Sequence, residues 1–262
     1  MRKLGVKLWS DDVFAHAEFS AQCVEGIRNG DFNYLELFAL PESYEKTAEG
    51  WKKLLSGIEV IIHAPHSRFE LDTGNASAFE KNKRILESSF RFADLFNSEI
   101  VIVHAGMGEG EKFVDETIRQ FKRFDDKRIA VENLPYYCTS TGNILHGTSP
   151  DEIRRIKEET GCQFCFDFSH AVCAANHYKR DVKSDLAAYY ALKPDMYHMC
   201  DGLTDETEDK HLHYGKGNYN LAEMLNDFTA KDAIITMETG KGIPASTDEW
   251  LNDAKYLRAL EK

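Results

Sequence analysis

The sequence predicts a closed α/β barrel of eight βα units, a (β/α)8 or TIM barrel, occupying residues 1–262 as a single domain. Three observations predict it. The chain has 262 residues, close to the ~250 that eight such units occupy. Eight short apolar runs alternate with longer amphipathic stretches, the pattern of repeated βα units. The turn after the first run reads Trp9-Ser10-Asp11-Asp12 and not the glycine-rich GxGxxG that opens a doubly wound dinucleotide-binding sheet.

In order along the chain, strands are expected at Leu4–Leu8, Tyr34–Phe38, Glu59–Ile62, Ile100–Val103, Arg128–Val131, Gln163–Phe166, Met196–Met199 and Ala233–Met237. Ile100–Val103 is apolar throughout, as a parallel strand covered on both faces should be. Helices are expected near 12–28, 43–57, 77–97, 111–125, 150–160, 181–192, 219–229 and 247–260, each with a charged side and an apolar side. Ser149-Pro150-Asp151-Glu152 is a helix start, with serine as cap and proline in the first turn.

With 42% hydrophobic and 29% charged residues, the chain can bury a substantial core. Its longest apolar runs fall far short of the ~20 residues of a membrane span. Asp11 and Asp12 follow the first residues too soon for a secretory leader, so a cytoplasmic protein is expected. The six cysteines are Cys23, Cys138, Cys162, Cys165, Cys173 and Cys200. Cys162 and Cys165 form a CxxC with no second CxxC downstream, which reads as reduced core thiols and not as a zinc ribbon. A net charge of −12 argues against a surface that attracts nucleic acid by bulk charge.

In barrels of this type, catalytic residues stand at the carboxyl ends of the strands. Here those positions hold Glu36 within the second strand, His63 after the third, His104 after the fourth and Glu132 after the fifth. Asp167 and His170 follow the sixth, His198 and Asp201 the seventh, and Glu238 the eighth. A single histidine or carboxylate in such a place is commonly a hydrogen-bonded structural residue or a helix cap. Several carboxylates converging on one partly buried mouth are different, because cations are the ordinary way to offset their burial. Imidazole nitrogen mixed with carboxylate oxygen suits Zn²⁺, Mn²⁺ or Fe²⁺ better than Ca²⁺ or Mg²⁺ alone. A second cluster, Asp209-Lys210-His211-Leu212-His213-Tyr214-Gly215-Lys216-Gly217, adds two or three donors on a loop whose glycines permit close backbone approach. His211 and His213 alternate, so a strand-like segment would point both to the same face and either could be the ligand.

Seven motifs stand in sequence order: His63-Ala64-Pro65-His66, Val103-His104-Ala105-Gly106, Val131-Glu132-Asn133, Asp167-Phe168-Ser169-His170, His198-Met199-Cys200-Asp201, Asp209-Lys210-His211 with Gly215-Lys216-Gly217, and Met237-Glu238. In this order they resemble the endonuclease IV family (AP endonuclease family 2), within the xylose-isomerase-like TIM barrels, over nearly all of the chain. The resemblance implies three zinc ions. The first would lie on His63, His104 and Glu132, and the second on Glu132 as bridge with Asp167, His198 and Glu238. The third would lie on His170, Asp209 and His211. It also implies phosphodiester hydrolysis by a hydroxide between the ions that Glu132 bridges, with Glu238 orienting it, so Glu132 and Glu238 are the catalytic candidates.

Two departures bear on substrate. Where DNA-repair members carry a tyrosine and an aliphatic wedge after the third strand, this chain has His66 and Ser67. The loop Ala39-Leu40-Pro41-Glu42-Ser43-Tyr44-Glu45 lacks the basic and amide residues that those enzymes present to DNA. Four of the twelve net negative charges would belong to ligands, leaving a surface of about −8. Arg68, Lys179, Arg180, Lys210, Lys216 and Lys241 fall in mouth loops, and Arg68 and Lys216 are the substrate-binding candidates. A phosphorylated or sugar-containing substrate is expected, with nucleic acid disfavoured by charge and no membrane partner.

The alternative enzyme is a sugar isomerase or epimerase of the same superfamily, with one ion on residues like Glu132, Asp167, His198 and Glu238. Glu132 and Glu238 would then move protons beside a carbonyl, with His170 on a substrate oxygen. From a different class, the barrel would be a binding protein that keeps its metals without turnover. His63, His104, Asp209 and His211 favour several ions, since one ion does not need them. His66, His146 and His177 carry no assigned role.

Overall fold

Eight parallel strands close into a barrel in the computed structural model, which describes residues 1–244 and 246–262. They are β1 (Lys3–Trp9), β2 (Tyr34–Phe38), β3 (Val60–His63), β4 (Val101–His104), β5 (Ile129–Glu132), β6 (Gln163–Asp167), β7 (Met196–Met199) and β8 (Ile234–Met237). Each pairs with its neighbours in sequence, and β8 returns to β1 with Leu4 opposite Ile235, closing the (β/α)8 barrel that the sequence predicts. No described helix is long and apolar enough to cross a membrane.

Five strands run one residue further than expected, β1 to Trp9 and four others to an ionisable residue. His63, His104, Glu132 and Asp167 are the last residues of β3, β4, β5 and β6, not the first residues of the loops. Apolar periodicity ends at the last hydrophobic residue, whereas pairing continues: His104 stands opposite Glu132, and Asp167 opposite His198. His198 itself lies inside β7, not after it. His63, His104, Glu132, Asp167 and His198 are therefore held within the sheet.

The expected helix 12–28 is two helices, Asp12–Ala15 and Ala17–Asn29, because the backbone leaves the helical region at His16 (φ −134°, ψ 48°). A helix at Phe168–Tyr178 was not predicted. It is buried from Phe168 to Ala175 and packs on both β7 and the helix Val182–Ala191, so it lacks the polar stripe that marks an amphipathic helix. A two-residue antiparallel ribbon joins Gly106–Met107 to Leu145–His146 beside the mouth. His146 is buried there, with Nε2 2.8 Å from Thr117 Oγ1, and is structural.

Side chains alternate across each strand, so one set faces the helices and the other the barrel interior. Lower in the barrel the interior is apolar, filled by Tyr34, Ile61, Ile102, Ala130, Cys165 and Met196. Gly5 of β1 leaves room for the Tyr34 ring, into which any Cβ at that position would project. Two residues further up each strand, the interior becomes ionisable. The apolar plug thus forms the floor of a charged layer.

Candidate metal centre

The charged layer consists of Lys7 on β1, Glu36 on β2, His63 on β3, His104 on β4, Glu132 on β5, Asp167 on β6, His198 on β7 and Glu238 just after β8. Glu132 is its hub. Oε2 lies 3.3 Å from His63 Nε2 and 3.1 Å from His104 Nε2. Oε1 lies 3.2 Å from His198 Nδ1 and 3.3 Å from His170 Nδ1.

Hydrogen bonds on the far nitrogens fix the tautomers. His63 Nδ1 donates to the Ala64 carbonyl at 2.7 Å, His170 Nδ1 to the Asn133 carbonyl at 2.9 Å, and His211 Nδ1 to the Glu238 carbonyl at 2.8 Å. His198 Nε2 donates to Glu36 Oε2 at 2.9 Å. Each remaining nitrogen therefore presents a lone pair to a carboxylate. His198 Nδ1 faces Glu132, Glu238 Oε1 at 3.4 Å and Asp167 Oδ2 at 3.9 Å. His211 Nε2 and His170 Nε2 face Asp209 Oδ2 at 2.8 and 3.5 Å.

Lone pair against lone pair is repulsive inside a protein unless a proton or a cation lies between. Glu132 Oε2 and Asp209 Oδ2 are buried oxygens without any hydrogen-bond partner. Imidazoles oriented from behind by carbonyls and a carboxylate are the usual supports of metal ligands. The residues thus fit divalent ions, and mixed nitrogen and oxygen donors suit Zn²⁺, Mn²⁺ or Fe²⁺.

Donor atoms lie within 4.8 Å of one another in four groups: His63, His104 and Glu132; Glu132, Asp167 and His170; Cys200, Asp209 and His211; and Glu36, His63, His198 and Glu238. The first is the set expected for the first ion. The second and third each contain part of an expected set, and the fourth adds Glu36.

Local structure explains these placements. Asp167 caps the helix Phe168–Tyr178, accepting from His170 N through Oδ1 at 2.7 Å, so Oδ2 is left facing the centre. His170 falls in the first turn of that helix, on the same side as its cap. Asn133 ties β5 to β6, accepting from Asp167 N and donating to its carbonyl, both at 2.8 Å. The sequence motif contained Asn133 without giving it this role.

A family model described as "Xylose isomerase-like TIM barrel" matches residues 21–260. The chain belongs to this family. Within the xylose isomerase-like barrels it is similar to Endonuclease 4 of Thermus thermophilus, at 25% identity over 215 residues, spanning 78% of this chain and 75% of the relative. Two solved structures share the fold. A D-tagatose 3-epimerase-like protein superposes with a TM-score of 0.70 at 19% identity, covering 98% of this chain and 96% of its own. Endonuclease IV from T. thermophilus superposes with a TM-score of 0.67 at 22% identity, covering 98% of both chains. Both likenesses are in the barrel fold.

Against this family background, some sequence expectations need correction. Asp201 does not face the centre: its carboxylate accepts from the backbone N–H groups of Gly202, Gly215 and Gly217 at 2.8–2.9 Å and so anchors the loop that carries Asp209 and His211. His213 points away, bridging Asp253 at 2.7 Å and Glu249 at 2.9 Å. The strand-like alternation that would have aligned it with His211 is broken by the positive φ of His211, 48°. Lys216 is exposed and does not line the cavity, because the turn that accommodates Gly217 carries it outward. Cys138 is only half-buried, unlike the five core thiols.

Arg68 does line the cavity, with its guanidinium 5.9 Å from the Trp9 ring. His66 stacks on His104 at 5.2 Å, and burial keeps its imidazole neutral by pushing its pKa far down. His177 stacks on Tyr136 at 3.7 Å, at the rim. The cavity above the charged layer has a volume of about 710 Å³.

Lys7 and Glu36 had no assigned place in the centre. Lys7 Nζ pairs with Glu238 Oε1 and, at 3.1 Å, with Glu36 Oε1. Burial opposes the lysine charge, but Glu238, Glu36 and Glu132 outweigh it and hold the ammonium above the ordinary lysine range. Glu36 is fully buried; His198 and Lys7 outweigh its burial and keep it ionised.

Two predictions arise here. At Gly217 an added Cβ would run into the Gly202 carbonyl and the Asp201 carboxylate. Gly217→Ala should therefore displace the loop, destabilising the fold by about 1–3 kcal/mol and emptying the Asp209 and His211 group. Thermal melts and elemental analysis check this, and a variant with wild-type metal content would contradict it.

The second concerns pH. In the metal-free protein burial works against a charged His211, yet neighbouring Asp209 pushes its pKa up from 6.5 to about 9. A raised folded value stabilises the fold fully below the unfolded value, and that stabilisation is lost as pH rises through the folded one. Metal-free protein should thus lose thermal stability between about pH 6.5 and 9, and metal uptake near pH 7 should release protons. Calorimetry in two buffers of different ionisation enthalpy measures the release. Uptake without proton release would contradict the assignment.

Proposed function

We propose that this chain is a divalent-metal-dependent hydrolase of phosphoester bonds, resembling endonuclease IV in its centre and acting on a small phosphorylated substrate. The observation that carries the reading is the surplus of donors. One ion could be held by Glu132, Asp167, His198 and Glu238, yet His63 and His211 also aim lone pairs at the buried Glu132 and Asp209 carboxylates, and His104 Nε2 lies 3.1 Å from Glu132.

Charge supports the same reading. Glu36, Glu132, Asp167 and Glu238 of the layer and Asp209 of the loop bring five negative charges to the centre, and Lys7 brings one positive charge. With neutral imidazoles, three dications would leave the centre two charges positive, suited to a phosphate ester. A single dication would leave it two charges negative and repel one.

When bound, such ions lower the pKa of a water and neutralise phosphate oxygens. The chain's own residues supply position. Glu132 links the groups through its two oxygens, and Glu238 holds and orients the attacking water. His170, Asp209 and His211 form the flank toward the leaving oxygen. The overall charge of −12 and the His66-Ser67 pair favour a small ester over a DNA duplex.

A second reading, sugar isomerisation or epimerisation, is favoured by the aromatic wall of the cavity, in which Trp9 stacks on Phe38 at 5.0 Å. There Glu132 and Glu238 would exchange a proton with a carbon beside a carbonyl. Metal-loaded protein incubated with a chromogenic phosphodiester, an abasic-site duplex and a panel of ketoses distinguishes the two. Cleavage of an ester with ketoses unchanged is expected, and conversion of a ketose alone would overturn the hydrolase reading. Turnover of none would leave a binding protein.

A further inference from the structure

We propose that Lys7 contacts the substrate directly, its ammonium binding a non-bridging phosphoryl oxygen beside the metal centre. The inference rests on the phosphoester reading and names a residue that the expected ligand set does not include.

A lysine directed into a barrel interior is unusual, since lysine is almost never buried without a partner. Lys7 is the inward residue of β1 at the level of the ligands, and its register partner on β2 is Glu36. These two strands contribute nothing to the ligand set implied by the family resemblance. Without Lys7, their arc of the mouth would hold only a carboxylate at this level.

Neutralising Glu36 does not by itself explain the lysine's position. Glu36 Oε2 already accepts from His198 Nε2 at 2.9 Å and from Thr236 Oγ1 at 2.6 Å. Lys7 reaches beyond Glu36 to Glu238, the residue that orients the attacking water in the proposed reaction. Its side chain is 18% exposed, and that exposure is to the cavity, which it lines. An ammonium has three N–H donors; Glu238 accepts from one, and Glu36 Oε1, at 3.1 Å, is an ion-pair partner that accepts no hydrogen bond. A donor is thus left for the cavity side.

A phosphoryl oxygen is the acceptor this donor suits. It is anionic, as the positive balance of a loaded centre requires, and lysine binds phosphate as a point charge. No bond is made or broken at Lys7, which keeps its proton throughout. Its fixed charge strengthens binding of an anionic ester and gives a neutral ketose no comparable gain.

The test is calorimetric titration of inorganic phosphate into metal-loaded wild type, Lys7→Met, Lys7→Arg and the double variant Lys7→Met with Glu36→Gln, alongside elemental analysis of each. The double variant keeps the floor neutral if an unpaired Glu36 prevents the single variant from folding. Loss of one charge-assisted hydrogen bond should weaken phosphate binding about 10- to 100-fold in both methionine variants. Lys7→Arg should stay within a few-fold of wild type, and metal content should be unchanged in the two single variants, with the double variant's phosphate affinity compared at equal metal content. Wild-type phosphate affinity in the methionine variants, or a loss that only parallels lost metal, would overturn the assignment. Wild type that holds its metals and binds no phosphate would instead remove the phosphoester reading on which the inference rests.

Discussion

Glu132→Gln should empty most of the metal centre while leaving the fold intact. One Glu132 oxygen faces His63 and His104 and the other faces His198, so a single carboxylate joins the groups. Glutamine keeps the shape but replaces one lone-pair oxygen with an N–H donor, which cannot bind a cation. Elemental analysis should show at most one ion per chain remaining, with an unchanged circular dichroism spectrum. Altering residues behind metal ligands typically costs about 10- to 100-fold in affinity or activity. Loss of the shared ligand itself should exceed that range in turnover. Full metal content in this variant would show that Glu132 is not the bridge.

Glu36→Ala should produce the largest loss of stability. Its carboxylate is fully buried and holds Lys7, His198 and Thr236 at once. Removing one partner of a buried ion pair destabilises by about 3–5 kcal/mol, because the other charge is left uncompensated. At about 2–4 °C per kcal/mol for a chain of this size, the melting temperature should fall by about 10 °C. Glu36→Gln should fall less, since its amide oxygen can still accept from His198. Equal melting of the alanine variant and wild type would mean that the Lys7 charge is compensated elsewhere.

The barrel was legible because apolar runs and amphipathic stretches report directly on parallel strands and covering helices. The ligand candidates were legible because a polar residue ending an apolar run stands out. The strand limits at His63, His104, Glu132 and Asp167 were less so, since these residues continue the sheet pairing without continuing the apolar pattern. The helix Phe168–Tyr178 was hidden by burial on all sides, which removes the 3.6-residue polar stripe.

Lys7 was not legible, and Glu36, noted within the second strand, was given no role. Each is a single charge inside an apolar strand, and their pairing follows from the register that sets Lys7 beside Glu36, which local sequence does not encode. The loop from Asp201 to Tyr219 was misread for a related reason. Its path depends on the positive φ of His211 and on the backbone N–H groups gathered by Asp201, so regular alternation gave the wrong direction for His213.

The central claim is that the mouth of the barrel holds several metal ions, and metal counting tests it most directly. Protein purified without added metal, compared with His104→Ala and His211→Ala, should contain roughly two or three transition-metal ions per chain. Each variant should contain about one fewer. A single ion per chain, unchanged in both variants, would contradict the account and leave a mononuclear centre of the isomerase kind.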